Sequence, residues 1–396
     1  MKIGIITYVN TATCNYGAEL QAYALQHKLN ELGYNTEVVN LRRELPGNGR
    51  FKETVKKAVK VRFQRLSFFQ ACASVFTLVR SVVKDRHYAK KCSDRFAEKK
   101  QMFHNFFMQR IRHSACEYTP ADMDVAELPY DTFIAGSDQI WNYKNSDRVD
   151  VFFLMFANRL GAKKISYAAS FSVSEIPNEY QTQYTAWINN IDFLSVREYA
   201  GVEIVKQLTG RKASLVCDPT LLLNKGEWAK QFEEPKNPLV EGKYVVIYSM
   251  SRSTNVMKLA KNIACELGGI KVVNIKLNFT PSKNDGILHL DFVSPTQWVW
   301  LLLHAEYVVT DSFHGTAFSI NFNKPFTTVQ NPLSDLNSRV NTILTKLGLI
   351  ERLYVDDGRT FDIIALQIDY AEVNQKLDEW RKESMNFLIN ALNADK

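Results

Sequence analysis

The sequence predicts a two-domain α/β protein built on doubly wound sheets, and three observations carry that expectation. First, 396 residues with 46% apolar side chains exceed what one ordinary hydrophobic core organises, yet they supply material for two. Second, the chain opens with a β-loop-α-β unit. Lys2 to Tyr8 is short, apolar and isoleucine-rich, as a strand buried on both faces must be. Ala18 to Leu32 sets Leu20, Ala24, Leu25, Leu29 and Leu32 at helical spacing and stops at Gly33. Thr36 to Leu41 is the second strand, and the helix between them implies a parallel pair with a right-handed crossover. Third, the alternation restarts after a polar stretch with two prolines at 224–242. The expected division is an N-terminal domain over 1–223, a C-terminal domain over 224–365, and a helical segment over 366–396 long enough to pack back on the first domain.

The remaining elements follow in order. Residues 50–112 read as a basic helical insertion, with 17 Lys or Arg against 4 Asp or Glu, a local charge of +13 in a chain of net charge +7. Phe63, Phe68, Phe69, Phe76, Phe103, Phe106 and Phe107 are interleaved with those cations. Amphipathic helices packed on the domain account for that pattern. Their basic face suits an anionic or membrane-attached substrate, and peripheral contact with a membrane is an expectation. No recognition motif accompanies the charge, so nucleic acid is not an expected partner. Tyr130 to Ala135, Lys164 to Ser170 and Phe193 to Val196 are strands, a helix starts near Glu198, and Leu215 to Asp218 runs into Pro219. In the second domain strands are expected at Tyr244 to Met250, Lys271 to Ile275, Tyr307 to Thr310 and Phe326 to Val329. Helices are expected over Asn255 to Leu267, Thr296 to His304, the start within Ser312 to Phe322, and 335–348.

Several classes are excluded by composition. No uncharged apolar run approaches the roughly 18 residues of a membrane span, and the first residues lack a secretory apolar region, so a cytoplasmic protein is expected. The six cysteines are scattered without a CxxC pair, which argues for reduced, mostly buried thiols and against a zinc site or disulfide scaffold. No metal-ligand constellation is evident, and no metal is expected.

Ligands of open α/β sheets bind beyond the carboxyl ends of the strands, and five polar clusters fall there. Asn15 and Gly17 follow the first strand. Gly17 permits close backbone approach, and Asn15 either contacts a ligand or caps the helix. Gly136-Ser137-Asp138-Gln139-Ile140-Trp141-Asn142 combines an acid, an amide and an aromatic, as a sugar site needs; otherwise it is a tight turn with Trp141 in the core. Arg197, at a strand end, has the planar fork that clamps a carboxylate or phosphate, or else forms a surface ion pair with Glu198. Asp218-Pro219-Thr220 reads as a cap or turn. In Thr310-Asp311-Ser312-Phe313-His314-Gly315, a histidine between an apolar strand and a helix is poised for proton transfer.

Taken in order, ITYVN…NYGAELQAYALQ, AGSDQIWN, SYAAS, SVRE, CDPTLLL and TDSFHGTAFSI resemble the polysaccharide pyruvyl transferase family over roughly residues 1–350. The resemblance implies two Rossmann-like domains in a GT-B-like arrangement. It also implies transfer of a pyruvyl group from phosphoenolpyruvate, the donor substrate and no separate cofactor, to a sugar of a cell-surface polysaccharide or its lipid-linked precursor. His314 then matches the family's catalytic histidine and Arg197 its anion-binding arginine. The helix starting near Gly315 would add backbone donors. Many members have Arg-Leu-His-Gly where this chain has Ser312-Phe313-His314-Gly315, so a serine stands where a donor-binding cation is expected. Arg339 is the candidate replacement. The acceptor is expected against Asn15, Gly17, Asp138, Gln139 and Trp141. Competing readings are a glycosyltransferase using a nucleotide sugar and a non-catalytic glycan-binding relative.

Overall fold

A computed structural model describes residues 1–9, 14–42, 92–146, 148–232, 238–250, 254–277, 285–330, 337–355 and 367–395. The N-terminal half comprises β1 (Lys2–Ile6), α1 (Tyr16–Glu31), β2 (Asn35–Leu41), α2 (Ser93–Arg110), β3 (His113–Tyr118), α3 (Pro120–Met123), β4 (Thr132–Ala135), β5 (Lys163–Ser166), α4 (Asn178–Asn189), β6 (Ser195–Val196), α5 (Tyr199–Thr209), β7 (Ser214–Leu215), α6 (Pro219–Leu222) and α7 (Lys225–Gln231). The C-terminal half comprises β8 (Tyr244–Tyr248), α8 (Thr254–Glu266), β9 (Lys271–Ile275), β10 (Leu288–Leu290), α9 (Pro295–His304), β11 (Tyr307–Thr310), α10 (Phe313–Asn321), β12 (Phe326–Val329), α11 (Asn337–Leu347), β13 (Leu353–Tyr354) and α12 (Tyr370–Asn393).

The two halves share one wiring. The first sheet runs β3-β2-β1-β4-β5 and the second β10-β9-β8-β11-β12-β13. Every pairing in both is parallel. Counted within each half, both follow the 3-2-1-4-5 order of a nucleotide-binding doubly wound sheet. Isolated bridges from Ile165 to Phe193 and Ala169 to Val196 carry the first sheet on toward the β6-β7 pair. The central strands β4, β8, β11 and β12 are buried along their whole length. That is why they read as mainly apolar runs, interrupted only by threonine, rather than alternating ones.

The halves meet through a common core rather than a thin linker. Tyr16 of α1 stacks on Trp298 of α9, with centroids 5.5 Å apart, and its hydroxyl donates to the Val293 carbonyl at 2.9 Å. Phe103 of α2 and Tyr248 of β8 close around the same ring. The last helix, α12, crosses back over the first half. Ser384 Oγ accepts from Cys217 N at 2.9 Å, and Arg381 donates to Leu221 O at 2.5 Å and to Asn321 Oδ1 at 2.7 Å. Lys163 caps its end by donating to Leu392 O at 2.8 Å, a cation placed at the helix C-terminus where the dipole favours it.

The basic insertion is described only from residue 92 onward; residues 50–91, including Phe63, Phe68, Phe69 and Phe76, lie outside the described residues. Within α2, Phe103, Phe106 and Phe107 are buried in the core shared by both halves. They serve packing, not a membrane surface. Lys99 is buried too; its ammonium donates to the Lys276 carbonyl at 2.5 Å, and burial pushes its pKa down to about 8. Among the described residues, no helix is long and apolar enough to cross a membrane.

Candidate active site

The carboxyl ends of both sheets open onto a shared cleft. Asn15, Asp138 and Gln139 line it from the first half. Met250, Asp311, Ser312, Phe313, His314, Thr328 and Arg339 line it from the second. The first wall is built from strand-end loops, and the second from a strand-end loop, the start of α10, the end of β12 and α11, as expected where the carboxyl edges of two parallel sheets border one cleft.

His314 sits in the first turn of α10 and is 5% exposed. Two local features place it. Ser312 is the N-cap, its side chain accepting from Gly315 N at 3.5 Å, while Thr310 Oγ1 accepts from Ser312 N at 3.0 Å and donates to Tyr248 O at 2.6 Å. Gly315 is required by that turn, since a Cβ there would lie 2.2 Å from Thr310 Oγ1. Across the cleft, a Cβ on Gly17 would lie 1.9 Å from His314 Nδ1. Gly17 therefore exists at this position so that the imidazole can rest against the first turn of α1.

Behind His314 lies a sealed charge network. Asp218 is wholly buried. Its Oδ2 accepts from Arg197 Nη1 at 2.6 Å and Ser137 Oγ at 2.8 Å, and its Oδ1 accepts from Thr220 N and Oγ1 at 3.0 and 2.7 Å. His314 Nε2 is 3.8 Å from Asp218 Oδ2, an ion-pair distance too long for a hydrogen bond, and it has no other partner among the described residues. Burial alone would raise the Asp218 pKa. His314, Arg197 and Thr220 outweigh that and hold the carboxyl far below the ordinary carboxylate range, so Asp218 is an anion at every physiological pH. Glu198, also buried, accepts from Ser170 Oγ at 2.9 Å and from the backbone of Phe171 and Ser172 at 2.8 and 3.2 Å. This ties the SYAAS and SVRE segments together.

The structure sorts the residues expected from sequence. Asn15, Asp138, Gln139, Ser312, His314 and Arg339 all line the cleft. Asn15 also caps α1, accepting from Gly17 N at 3.1 Å, so the cap reading holds and the residue borders the cleft as well. Three expectations need correction. Arg197 is not open to a ligand: its side chain is 0% exposed, enclosed by Asp218, Ser137 and the ring of Phe313. Its Glu198 neighbour is likewise internal, not a surface partner. Trp141 is not a sugar platform either, because its indole donates to Phe152 O at 3.0 Å and stacks on Phe153 in the core. The N–H of Gly315 points at the Ser312 cap rather than at the cleft.

Some site residues were missed. Asp218 read as a cap or turn, and it does cap α6 by accepting from Thr220 N at 3.0 Å, but an Asp-Pro cap gives no sign of its burial or of its ion pair. Phe313 drew no reading of its own from the sequence, yet its ring lies 4.6 Å from the Arg197 guanidinium and 5.6 Å from that of Arg339. Asp311 accepts from Ser249 Oγ at 2.8 Å and Met250 N at 2.6 Å and so holds the neighbouring strand-end loop. Among the described residues, no group of three or more His, Cys, Asp or Glu is placed to hold a metal ion.

A sequence model of the polysaccharide pyruvyl transferase family matches residues 15–331, a span that includes both walls of the cleft. No curated protein matches the sequence significantly. Among solved structures, a UDP-N-acetylglucosamine 2-epimerase aligns with a TM-score of 0.51 at 9% identity, covering 100% of this chain and 96% of the other. A protein from Listeria monocytogenes assigned to the same activity aligns at 0.50 and 9% identity, covering 96% and 90%. A UDP-GlcNAc 2-epimerase from Neisseria meningitidis, bound to UDP-GlcNAc, aligns at 0.47 and 8% identity over 99% of both chains. At such identities the likeness is one of fold, and that fold is the two-domain GT-B-like α/β arrangement.

Proposed function

The chain belongs to the polysaccharide pyruvyl transferase family, and from that premise we propose that it transfers a pyruvyl group from phosphoenolpyruvate to two hydroxyls of one sugar, leaving a pyruvate ketal and inorganic phosphate. The observation that carries this reading is the pairing of His314 with Arg339 in one cleft, opposite Asn15, Asp138 and Gln139. A proton-transfer group and a cation share one wall, and hydrogen-bonding side chains line the other.

The chemistry asks for that division. Carbon 3 of the enol gains a proton, two hydroxyl oxygens bond to carbon 2, and the bond from carbon 2 to the phosphate oxygen breaks. Two hydroxyl protons are given up in the process. His314, a histidine on the cleft wall, is suited to carry a proton between these steps, and the Asp218 carboxylate lies behind it, 3.8 Å from Nε2. Arg339 is the cation that meets the donor's carboxylate or phosphate. Asp138, Asn15 and Gln139 face the sugar. The acceptor class is a polysaccharide unit or its lipid-linked precursor.

The test is incubation with phosphoenolpyruvate and a panel of glycans and lipid-linked sugars, with acceptor mass and free phosphate followed together. A pyruvyl gain matched by phosphate release is expected. Thermal protection by a nucleotide diphosphate sugar, and none by phosphoenolpyruvate, would reassign the cleft to sugar transfer.

A further inference from the structure

The cleft's one lining guanidinium among the described residues is already in use. Arg339, on α11, is 5% exposed. A guanidinium offers only donors; with the Gln139 amide turned so that its oxygen faces it, that oxygen accepts from Nη2 at 3.0 Å and Nη1 at 3.2 Å, in place of the 3.2 Å bond it otherwise accepts from Asn145 Nδ2. Gln139 comes from the loop after β4 in the opposite half. It follows Asp138, whose φ of 76° puts a non-glycine residue in the left-handed region, and whose Oδ1 accepts from Gln139 N at 2.8 Å. A strained turn thus delivers an amide oxygen across the cleft to the fork of Arg339. The Nε of Arg339 has no partner among the described residues.

We propose that Gln139 is an internal stand-in for a substrate anion: its amide oxygen occupies the Arg339 fork in the empty enzyme, and a carboxylate or phosphate oxygen of the donor displaces it on binding. This rests on the anionic-donor reading of the cleft. The geometry suits displacement. One neutral oxygen shared between two of the five N–H groups leaves the cation without an anionic hydrogen-bonding partner and its Nε unused, whereas an anion can bind two N–H groups in parallel. The cation is under electrostatic pressure as well, since burial and then the charge of Arg197 bring the Arg339 pKa down to about 10. The Phe313 ring, 5.6 Å from the guanidinium, supports its plane after Gln139 leaves. Because the clasp joins the two halves, releasing it also frees the loop after β4 to turn to the second substrate.

A stand-in lowers apparent affinity by the fraction of time the fork is open, and this gives the test. Dissociation constants of inorganic phosphate, pyruvate and phosphoenolpyruvate are measured by calorimetry on the full chain and on Gln139→Ala, Gln139→Glu and Arg339→Met. Gln139→Ala should bind at least one of these anions about five- to tenfold more tightly than wild type. Gln139→Glu, which puts a fixed carboxylate in the fork, should weaken that same anion tenfold or more, and Arg339→Met should abolish its binding. Tightening for phosphate alone assigns the fork to the phosphate end of the donor, and for pyruvate alone to its carboxylate. Unchanged or weaker binding in Gln139→Ala, with a thermal midpoint equal to wild type, overturns the proposal, because Gln139 would then be a ligand contact or a bystander. Wild type that binds phosphate but not phosphoenolpyruvate would sink the proposed donor, while the comparison of variants on phosphate still decides the stand-in.

Discussion

Arg197 and Arg339 both lie against the ring of Phe313, at 4.6 and 5.6 Å, and both are buried, yet they do opposite work. Arg197 meets a carboxylate at 2.6 Å and is sealed from the cleft. Arg339 meets a neutral amide and borders the cleft. The difference teaches that a buried guanidinium is read by its partner. Where the partner is a charge of opposite sign, as Asp218 is for Arg197 with Asp138 and Glu198 at 3.6 and 4.0 Å, the charge is compensated and holds structure, although Nε and Nη2 make no hydrogen bond among the described residues. Where it is a neutral group the charge is held in reserve for a ligand.

Substituting each arginine in turn puts the largest strain on that contrast. Arg197→Met leaves the Asp218 carboxylate buried without its main counter-charge, and breaking such a pair costs about 3–5 kcal/mol. Arg339→Met removes a cation with no anionic hydrogen-bonding partner and exchanges it for a side chain of similar length. Its stability should stay within about 1 kcal/mol of wild type, while turnover falls on the order of 10²-fold, as for loss of one preorganised charge-stabilising donor. Urea unfolding and phosphoenolpyruvate-dependent phosphate release measure the two quantities. If Arg339→Met unfolds as readily as Arg197→Met, the two sites are alike and the contrast is gone.

His314→Ala comes next. It should lower turnover by about 10²- to 10⁴-fold, the range for a positioned acid or base, with an unchanged unfolding midpoint and glycan binding intact. Retained turnover would remove His314 from the chemistry and leave it as packing above Asp218.

Gly17→Ala probes the contact between halves on which that histidine depends. The new methyl would fall 1.9 Å from His314 Nδ1, so the ring or α1 must move. A cost of about 1–3 kcal/mol is expected, together with a fall in turnover that Gly33→Ala does not reproduce: its φ of +85° strains an alanine and costs stability, but nothing lies within 4 Å of a Cβ there. Equal activity in the two variants would mean that the imidazole sits elsewhere during turnover.

The fold was far more legible than these roles. The strands Lys271–Ile275, Tyr307–Thr310 and Phe326–Val329 lie where the apolar runs put them, residue for residue, because a parallel strand covered on both faces is mainly apolar and β-branched and stands out from its polar flanks. The edge strands β10 and β13, of three and two residues, carried no such signal. At the site, motif order located the right loops but could not tell inward from outward. Arg197 and Trp141 occupy motif positions and both face the core, for burial depends on contacts from segments far along the chain. The Asp218 carboxylate meets Ser137 from 81 residues earlier, and the Arg197–Phe313 contact has no local trace at all. Arg339 was found by its charge alone, and nothing local marked Gln139 as its partner.

The gentlest probe is pH. The folded-state pKa of Asp218 lies below its unfolded value of about 3.9. Its ion pair is therefore worth its full amount above that value, and stability is lost as pH falls further and the unfolded chain takes up the proton first. Asp218→Asn has no carboxyl to titrate. Its acid limb should be shallower than wild type by up to about 1.4 kcal/mol per pH unit below pH 4, which amounts to roughly 1 kcal/mol at pH 3. Arg339→Met keeps Asp218 paired with Arg197 and should follow the wild-type limb. Urea midpoints taken from pH 7 to pH 3 read the slopes, whatever the absolute stability of each variant. Parallel limbs in wild type and Asp218→Asn would show that the Arg197 network does not hold the carboxylate charged as its geometry requires, and the distinction between the two arginines would then rest on exposure alone.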